Sequence, residues 1–263
     1  PVPEVRISGN DILCIDENGL PLSNATLPVL VAETDNAGYD YQWSLNGVEI
    51  PGATFETYTV TQAGEYTVTI SGPSDFDCIN YASTIIEVSG MPADYDASVT
   101  TTAFANNHQI QATATSSISG LELYYTLDLD VTTGEGVETN ITGLFTDVSP
   151  GLHTVTISDG KGCWSDTISV TIIDYPHFFT PNGDGVNDTW HIIGKNQIPY
   201  AQIYIFDRYG KLMTRLSPDG AGWDGTYNGH AMPADDYWFT IEYRENTTTL
   251  AKETIKAHFS IKR

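Results

Sequence analysis

Thr61-Gln62-Ala63-Gly64-Glu65-Tyr66-Thr67-Val68-Thr69-Ile70 alternates apolar and polar side chains from Tyr66 onward. A period of two puts Tyr66, Val68 and Ile70 on one face of an extended chain and Thr67 and Thr69 on the other. Such a segment is a strand with one face against a core. The same grammar recurs at Thr154-Val155-Thr156-Ile157, Ile168-Ser169-Val170-Thr171-Ile172 and Ile203-Tyr204-Ile205-Phe206. Clusters of Gly, Asn, Asp and Pro separate these runs, and no stretch carries a convincing apolar period of 3.6 residues. The reading is all-β, with short strands and frequent turns that favour sandwiches over a parallel sheet.

The chain has 263 residues and a formal charge of −23. That charge is unevenly spread. Residues 1–174 hold 24 acidic side chains against only Arg6 and Lys161, whereas residues 175–263 hold ten acidic against nine basic. A step of this size marks a boundary between domains with different surface duties. The acidic part argues against nucleic acid and against anionic membrane surfaces, both of which need clustered Lys and Arg. No run of 18 apolar residues is present, so no transmembrane helix is expected. The chain starts Pro1-Val2-Pro3-Glu4 without a Met, and an export signal upstream of it is expected.

Within residues 1–89, Tyr41-Gln42-Trp43-Ser44-Leu45 reads as a strand that enters an Asn46-Gly47 hairpin turn. Trp43 is expected in the core. Residues 90–174 open at Gly90-Met91-Pro92 and end in a hairpin around Asp159-Gly160-Lys161-Gly162. The Thr61–Val68 segment looks like the tyrosine-corner strand of an immunoglobulin-type sandwich. The first two segments therefore resemble the immunoglobulin-like and PKD-like modules of bacterial surface proteins. Of the three cysteines, Cys14 and Cys78 fall in one segment, and a Cys14–Cys78 disulfide is expected; Cys163 is read as a buried thiol.

Residues 175–263 carry the most distinctive pattern. They run from Phe178-Phe179-Thr180-Pro181-Asn182-Gly183-Asp184-Gly185-Val186-Asn187-Asp188-Thr189-Trp190 through Ile205-Phe206-Asp207-Arg208-Tyr209-Gly210-Lys211 and Gly222-Trp223-Asp224-Gly225. They end Tyr237-Trp238-Phe239 and then His258-Phe259-Ser260-Ile261-Lys262-Arg263. This set resembles the gliding-motility-associated C-terminal domain family, the type B sorting domain of the type IX secretion system. The resemblance implies tandem immunoglobulin-like sandwiches followed by a small C-terminal β-sandwich that serves as an export label. It also implies a secreted or cell-surface, adhesin-like protein. The implied partners are type IX translocon components and a porin-like outer-membrane barrel protein. A carbohydrate-binding module, or the tail of a secreted hydrolase, is the rival reading.

Candidate sites follow from the same segment. Asn182, Asp184, Val186 and Asp188 place oxygens at alternating positions around a glycine turn, the requirement of a Ca²⁺ loop. A self-capped turn built from Asn, Gly and Asp is the other account. Trp238 must point opposite to Tyr237 and Phe239 in a strand. With Phe259, Lys262 and Arg263 it is assigned to partner binding, by pairing along an exposed last strand. Asp207 and Arg208 are read as an ion pair within one hairpin. The six histidines show no HExxH or zinc spacing, and no GxSxG elbow or phosphate loop occurs, so no enzyme is expected; no cofactor is required, and Ca²⁺ at that loop is the one candidate ion.

Overall fold

Three separately packed cores follow one another along the chain, each closed by strands whose inward positions are Val, Ile, Tyr, Phe or Trp. The computed structural model describes residues 4–72, 79–130, 132–133, 135–198, 200–244 and 252–263. Among the described residues, a 3₁₀ turn at Lys195–Gln197 is the only helical element.

The first module contains β1 (Val5–Ser8), β2 (Ile12–Ile15), β3 (Val29–Thr34), β4 (Asp40–Leu45), β5 (Val48–Glu49), β6 (Thr57–Thr59), β7 (Gly64–Ser71) and β8 (Ile79–Gly90). One sheet has the order β1-β3-β6, the other β2-β8-β7-β4-β5. Tyr66, Val68 and Ile70 of β7 are all buried, as their alternation requires. The Tyr66 hydroxyl donates back to the Gln62 carbonyl oxygen at 2.9 Å, which closes the tyrosine corner. Trp43 is fully buried and its indole N–H donates to the Phe55 carbonyl oxygen. Asn46 and Gly47 both take positive φ, the conformation that joins β4 to β5.

The second module contains β9 (Asp94–Val99), β10 (His108–Thr115), β11 (Tyr124–Leu127), β12 (Glu138–Asn140), β13 (Leu144–Val148), β14 (Gly151–Ser158) and β15 (Ser165–Ile172). Its sheets are β13-β10-β9 and β12-β11-β14-β15, packed over Ile110, Phe145, Val155, Ile157 and Ile172. The third contains β16 (Phe178–Phe179), β17 (Gln202–Phe206), β18 (Leu212–Leu216), β19 (Thr226–Tyr227), β20 (His230–Ala231), β21 (Asp236–Tyr243) and β22 (Glu253–Ile261). Five of these form the sheet β16-β22-β21-β17-β18, while β19 and β20 pair apart. Aromatic rings fill its core: Trp190 stacks on Phe259 with centroids 4.1 Å apart, and Phe239, Tyr237 and Trp223 surround the pair.

The disulfide joins two modules instead of closing one. Cys14 bonds Cys163, with Cα atoms 5.2 Å apart and a sequence separation of 149. The expected Cys14–Cys78 pairing is therefore corrected, and Cys78 itself lies outside the described residues. The cause is topological. β2 runs parallel to the end of β8, with Cys14 opposite Ser89, and so carries Cys14 to the end of the first module. The β14–β15 turn, which bears Cys163, docks there. Asp159 of that turn is 1 % exposed and accepts from the Ser89 hydroxyl at 2.7 Å and from the amides of Gly162, Cys163 and Trp164. Four donors offset the cost of burying a carboxylate. Gly90 sits at φ 151°, where a Cβ would come within 2.0 Å of the Ile15 carbonyl oxygen.

Among the described residues, no disulfide spans the junction between the second and third modules. Phe104 N–H donates to the Ile173 carbonyl oxygen, and its ring meets Tyr243 edge-on at 5.4 Å. His108 and Asp174, both buried, face each other at 3.2 Å. Tyr175 then enters the third core, 4.8 Å from Phe239 by ring centroid.

Candidate functional site

The outer face of the C-terminal sheet is the place where sequence and geometry converge. Strand alternation sends Phe239, Ile241, Phe259 and Ile261 inward, and Trp238, Thr240, His258 and Ser260 outward. Cross-strand register then builds a row: Leu212 beside Phe206, Phe206 beside Trp238, Trp238 beside His258. Trp238 is 42 % exposed and its ring lies 6.0 Å from that of His258. A second row runs Arg215, Tyr204, Thr240, Lys256, with the Arg215 guanidinium 5.7 Å from the Tyr204 ring. Phe178 is partly exposed and carries the Lys262 ammonium 3.9 Å above its ring. The result is an aromatic face studded with cations, on a molecule whose other two modules are acidic.

Of the four residues assigned to partner binding, Trp238, Lys262 and Arg263 lie on the surface. Phe259 does not: it is 0 % exposed and forms the floor of the third core. The assignment of Phe259 is corrected for that reason. The last strand is covered on its outer side at Ser260 and Ile261, where β16 pairs in parallel; among the described residues no strand pairs with the outer side of Glu253–Phe259. Arg208 bonds Asp235 across the module, and Asp207 instead accepts the amides of Tyr209 and Lys211 within its turn. Sequence reading missed Phe206, Leu212 and Phe178. The signal was present, because a buried Ile205 in a strand puts Phe206 outside.

In the 182–188 loop the oxygens turn toward amides. Asp188 accepts from Asn182, Gly183 and Gly185 at 2.7–3.0 Å, and these amides, Gly183 first, hold its carboxyl below the usual carboxylate range. Asp184 accepts from Val186 N–H and from the Asn182 side-chain amide, and the Val186 carbonyl accepts from the Thr180 hydroxyl. Among the described residues, no group of three or more His, Cys, Asp or Glu is arranged to hold a metal ion.

One grouping has the composition of a catalytic triad. His153 Nδ1 lies 2.7 Å from Asp128, and Nε2 lies 3.5 Å from the Ser149 hydroxyl. Nε2 also lies 2.8 Å from the Ser149 carbonyl oxygen, which can only accept. A nitrogen that donates there cannot take the serine proton, so the group works as a pin between β14 and its neighbouring turns.

Residues 173–257 match the CHU_C Type IX secretion signal domain. The signal domain marks the chain for secretion or cell-surface display and implies contact with the type IX machinery. It follows two modules of paired β-sheets. No curated protein matches the chain. Among solved structures, three N-terminal domains of the bacteriophage RB49 Hoc capsid protein align over 99 % of this chain and 98 % of theirs, at 14 % identity and TM-score 0.32. The fibronectin(III)-like modules of Clostridium thermocellum CbhA align over 64 % and 94 %, at 12 % and 0.34. The insect immune protein hemolin aligns over 99 % and 76 %, also at 12 % and 0.34. Among the described residues, no helix is long and apolar enough to cross a membrane.

Proposed function

We propose that residues 175–263 form a folded export label whose outer sheet face is read by type IX translocon components and by a porin-like outer-membrane barrel protein. The observation that carries this is the row Leu212, Phe206, Trp238 and His258, flanked by Arg215, Lys256 and Lys262. Exposed aromatic and cationic side chains are the residues that anchor protein interfaces. The remainder of the chain, with its excess acidic charge, stays solvated and leaves this face as the distinct one.

Residues 1–89 and 90–174 are read as adhesin-like, non-catalytic cargo modules. Their cores are filled, and the Ser149–His153–Asp128 group is wired as a pin. The 182–188 loop is read as a self-capped turn, because its carboxylates already hold amides; a Ca²⁺ site there would have to break those bonds.

A fusion of residues 175–263 to a periplasmic reporter, expressed in a type IX-competent bacterium, tests the label. The reporter is expected outside the cell. Trp238→Ala in that fusion is expected to weaken recognition by about 2 kcal/mol, roughly thirtyfold, if Trp238 is a central anchor. Retention of the fusion inside, with the label folded, would refute the reading. Glycan binding by residues 1–174 on an array would move the cargo modules to the carbohydrate-binding class.

A further inference from the structure

The first module ends in a strand that is only half covered. β2 pairs with Glu87–Gly90 at the end of β8. β7 pairs with Ile79–Ile86, but on the inner side. Among the described residues, no strand pairs with the outer side of Ile79–Ile86; β1 belongs to the opposite sheet and pairs with β3. The Glu87 amide donates to Asp11 on the β2 side, so odd-numbered residues of β8 direct their backbone groups to that side. Ile79, Ser83 and Ile85 therefore present amides and carbonyls that no strand pairs, while the Tyr81 amide donates to the neighbouring Asn80 Oδ1 at 2.9 Å. Their side chains stand on the solvent face as well, with Tyr81 68 % and Ile85 64 % exposed.

Ile79-Asn80-Tyr81-Ala82-Ser83-Thr84-Ile85-Ile86 contains no charge and no proline, in a chain of net charge −23. Soluble proteins blunt a long open edge with Lys, Pro, a bulge or a covering loop. This edge carries no Lys, Pro or bulge along those eight residues.

We infer that the outer edge of β8 pairs antiparallel with the same edge of a second copy of this chain, about a two-fold axis at Ala82. Self-complementarity favours a second copy over a foreign strand. In this register Ile79 lies opposite Ile85 of the partner subunit, and Tyr81 opposite Ser83 of the partner subunit. Both exposed isoleucines gain apolar neighbours, and the open backbone groups gain partners, as an isologous interface requires. The acidic surroundings of each copy repel at long range. Salt screens that repulsion, with a Debye length falling from about 30 Å at 0.01 M to about 8 Å at 0.15 M. Association is therefore expected to tighten with salt, opposite to the behaviour of an interface held by ion pairs.

Sedimentation equilibrium of the full chain, at low and high salt, tests this. The expected result is a monomer–dimer equilibrium that strengthens with salt and weakens about tenfold in Ile85→Glu. Register is read by mixing. Ile79→Lys and Ile85→Glu chains each pair poorly alone. A mixture is expected to form the mixed dimer preferentially, because the ammonium introduced in one chain then faces the carboxylate introduced in the other. Both positions are solvent-exposed, so far-UV circular dichroism is expected to match that of the parent chain. A monomer at every concentration and salt, a dimer indifferent to Ile85→Glu, or no gain on mixing overturns the inference.

Discussion

The first and last modules finish in the same way, and the two endings differ where it matters. In each, the final strand is long and, among the described residues, is covered on its outer side only near its end by a short parallel strand: β2 on β8, β16 on β22. On β22 the uncovered stretch contains Glu253, Lys256 and His258, with Lys252 just before it. On β8 it contains no charge. One backbone arrangement thus yields a guarded edge in the label and an unguarded one in the cargo. The two junctions differ as well. The first is bonded through Cys14–Cys163 and Asp159, the second rests on rings and the His108–Asp174 pair.

The largest effect that separates these regions is expected from Cys163→Ser. Closing 149 residues contributes about 5 kcal/mol in the chain-entropy account. Calorimetry is expected to show the transition of the first two modules lowered while that of the label stays in place. A downward shift of both would mean that the second junction couples them. Next comes the contrast within the label. Phe259→Ala is expected to cost about 3–5 kcal/mol, while Trp238→Ala costs under about 1 kcal/mol of stability and acts on export instead. Urea unfolding of residues 175–263 measures both, and equal costs would erase the distinction between core and recognition face.

Lys256→Ile removes one guard from β22. Concentration-dependent self-association of the label, absent in the parent, is expected in velocity sedimentation, by about 1 kcal/mol per pair formed. The smallest effect concerns the 182–188 loop. Asp188 is held below its ordinary value by the Gly183 and Gly185 amides. Its contribution is therefore full above the unfolded carboxylate value of about 3.9 and is lost as pH falls through the lowered folded value. Label stability is expected to fall more between about pH 5 and pH 2, an interval set by that value, in the parent than in Asp188→Asn. Added Ca²⁺ against EDTA is expected to leave the thermal midpoint unchanged within about 1 °C; a clear rise would assign the loop to metal binding.

Much of this was legible in the chain. The Tyr66–Ile70 alternation and the Asn46-Gly47 dipeptide are local signals, and local geometry obeys them. Trp238 could be placed outside because its neighbours on both sides are buried aromatics. Cys163 could not be matched to Cys14, because their meeting depends on β2 running parallel to β8, a long-range choice with no local signature. Phe259 was misplaced for the opposite reason. Closeness to the C-terminus outweighed the alternation His258, Phe259, Ser260, Ile261, which sets one pair inside and the other outside.

Tyr175 has a practical consequence for anyone moving the label to another protein. Its ring sits against Phe239 and Trp190, and the Trp190 indole donates to the Pro176 carbonyl next door. Tyr175 and Pro176 act as a stopper pushed into the mouth of the aromatic core from the cargo side. A tag trimmed to begin at His177 would be uncorked, whatever it was fused to.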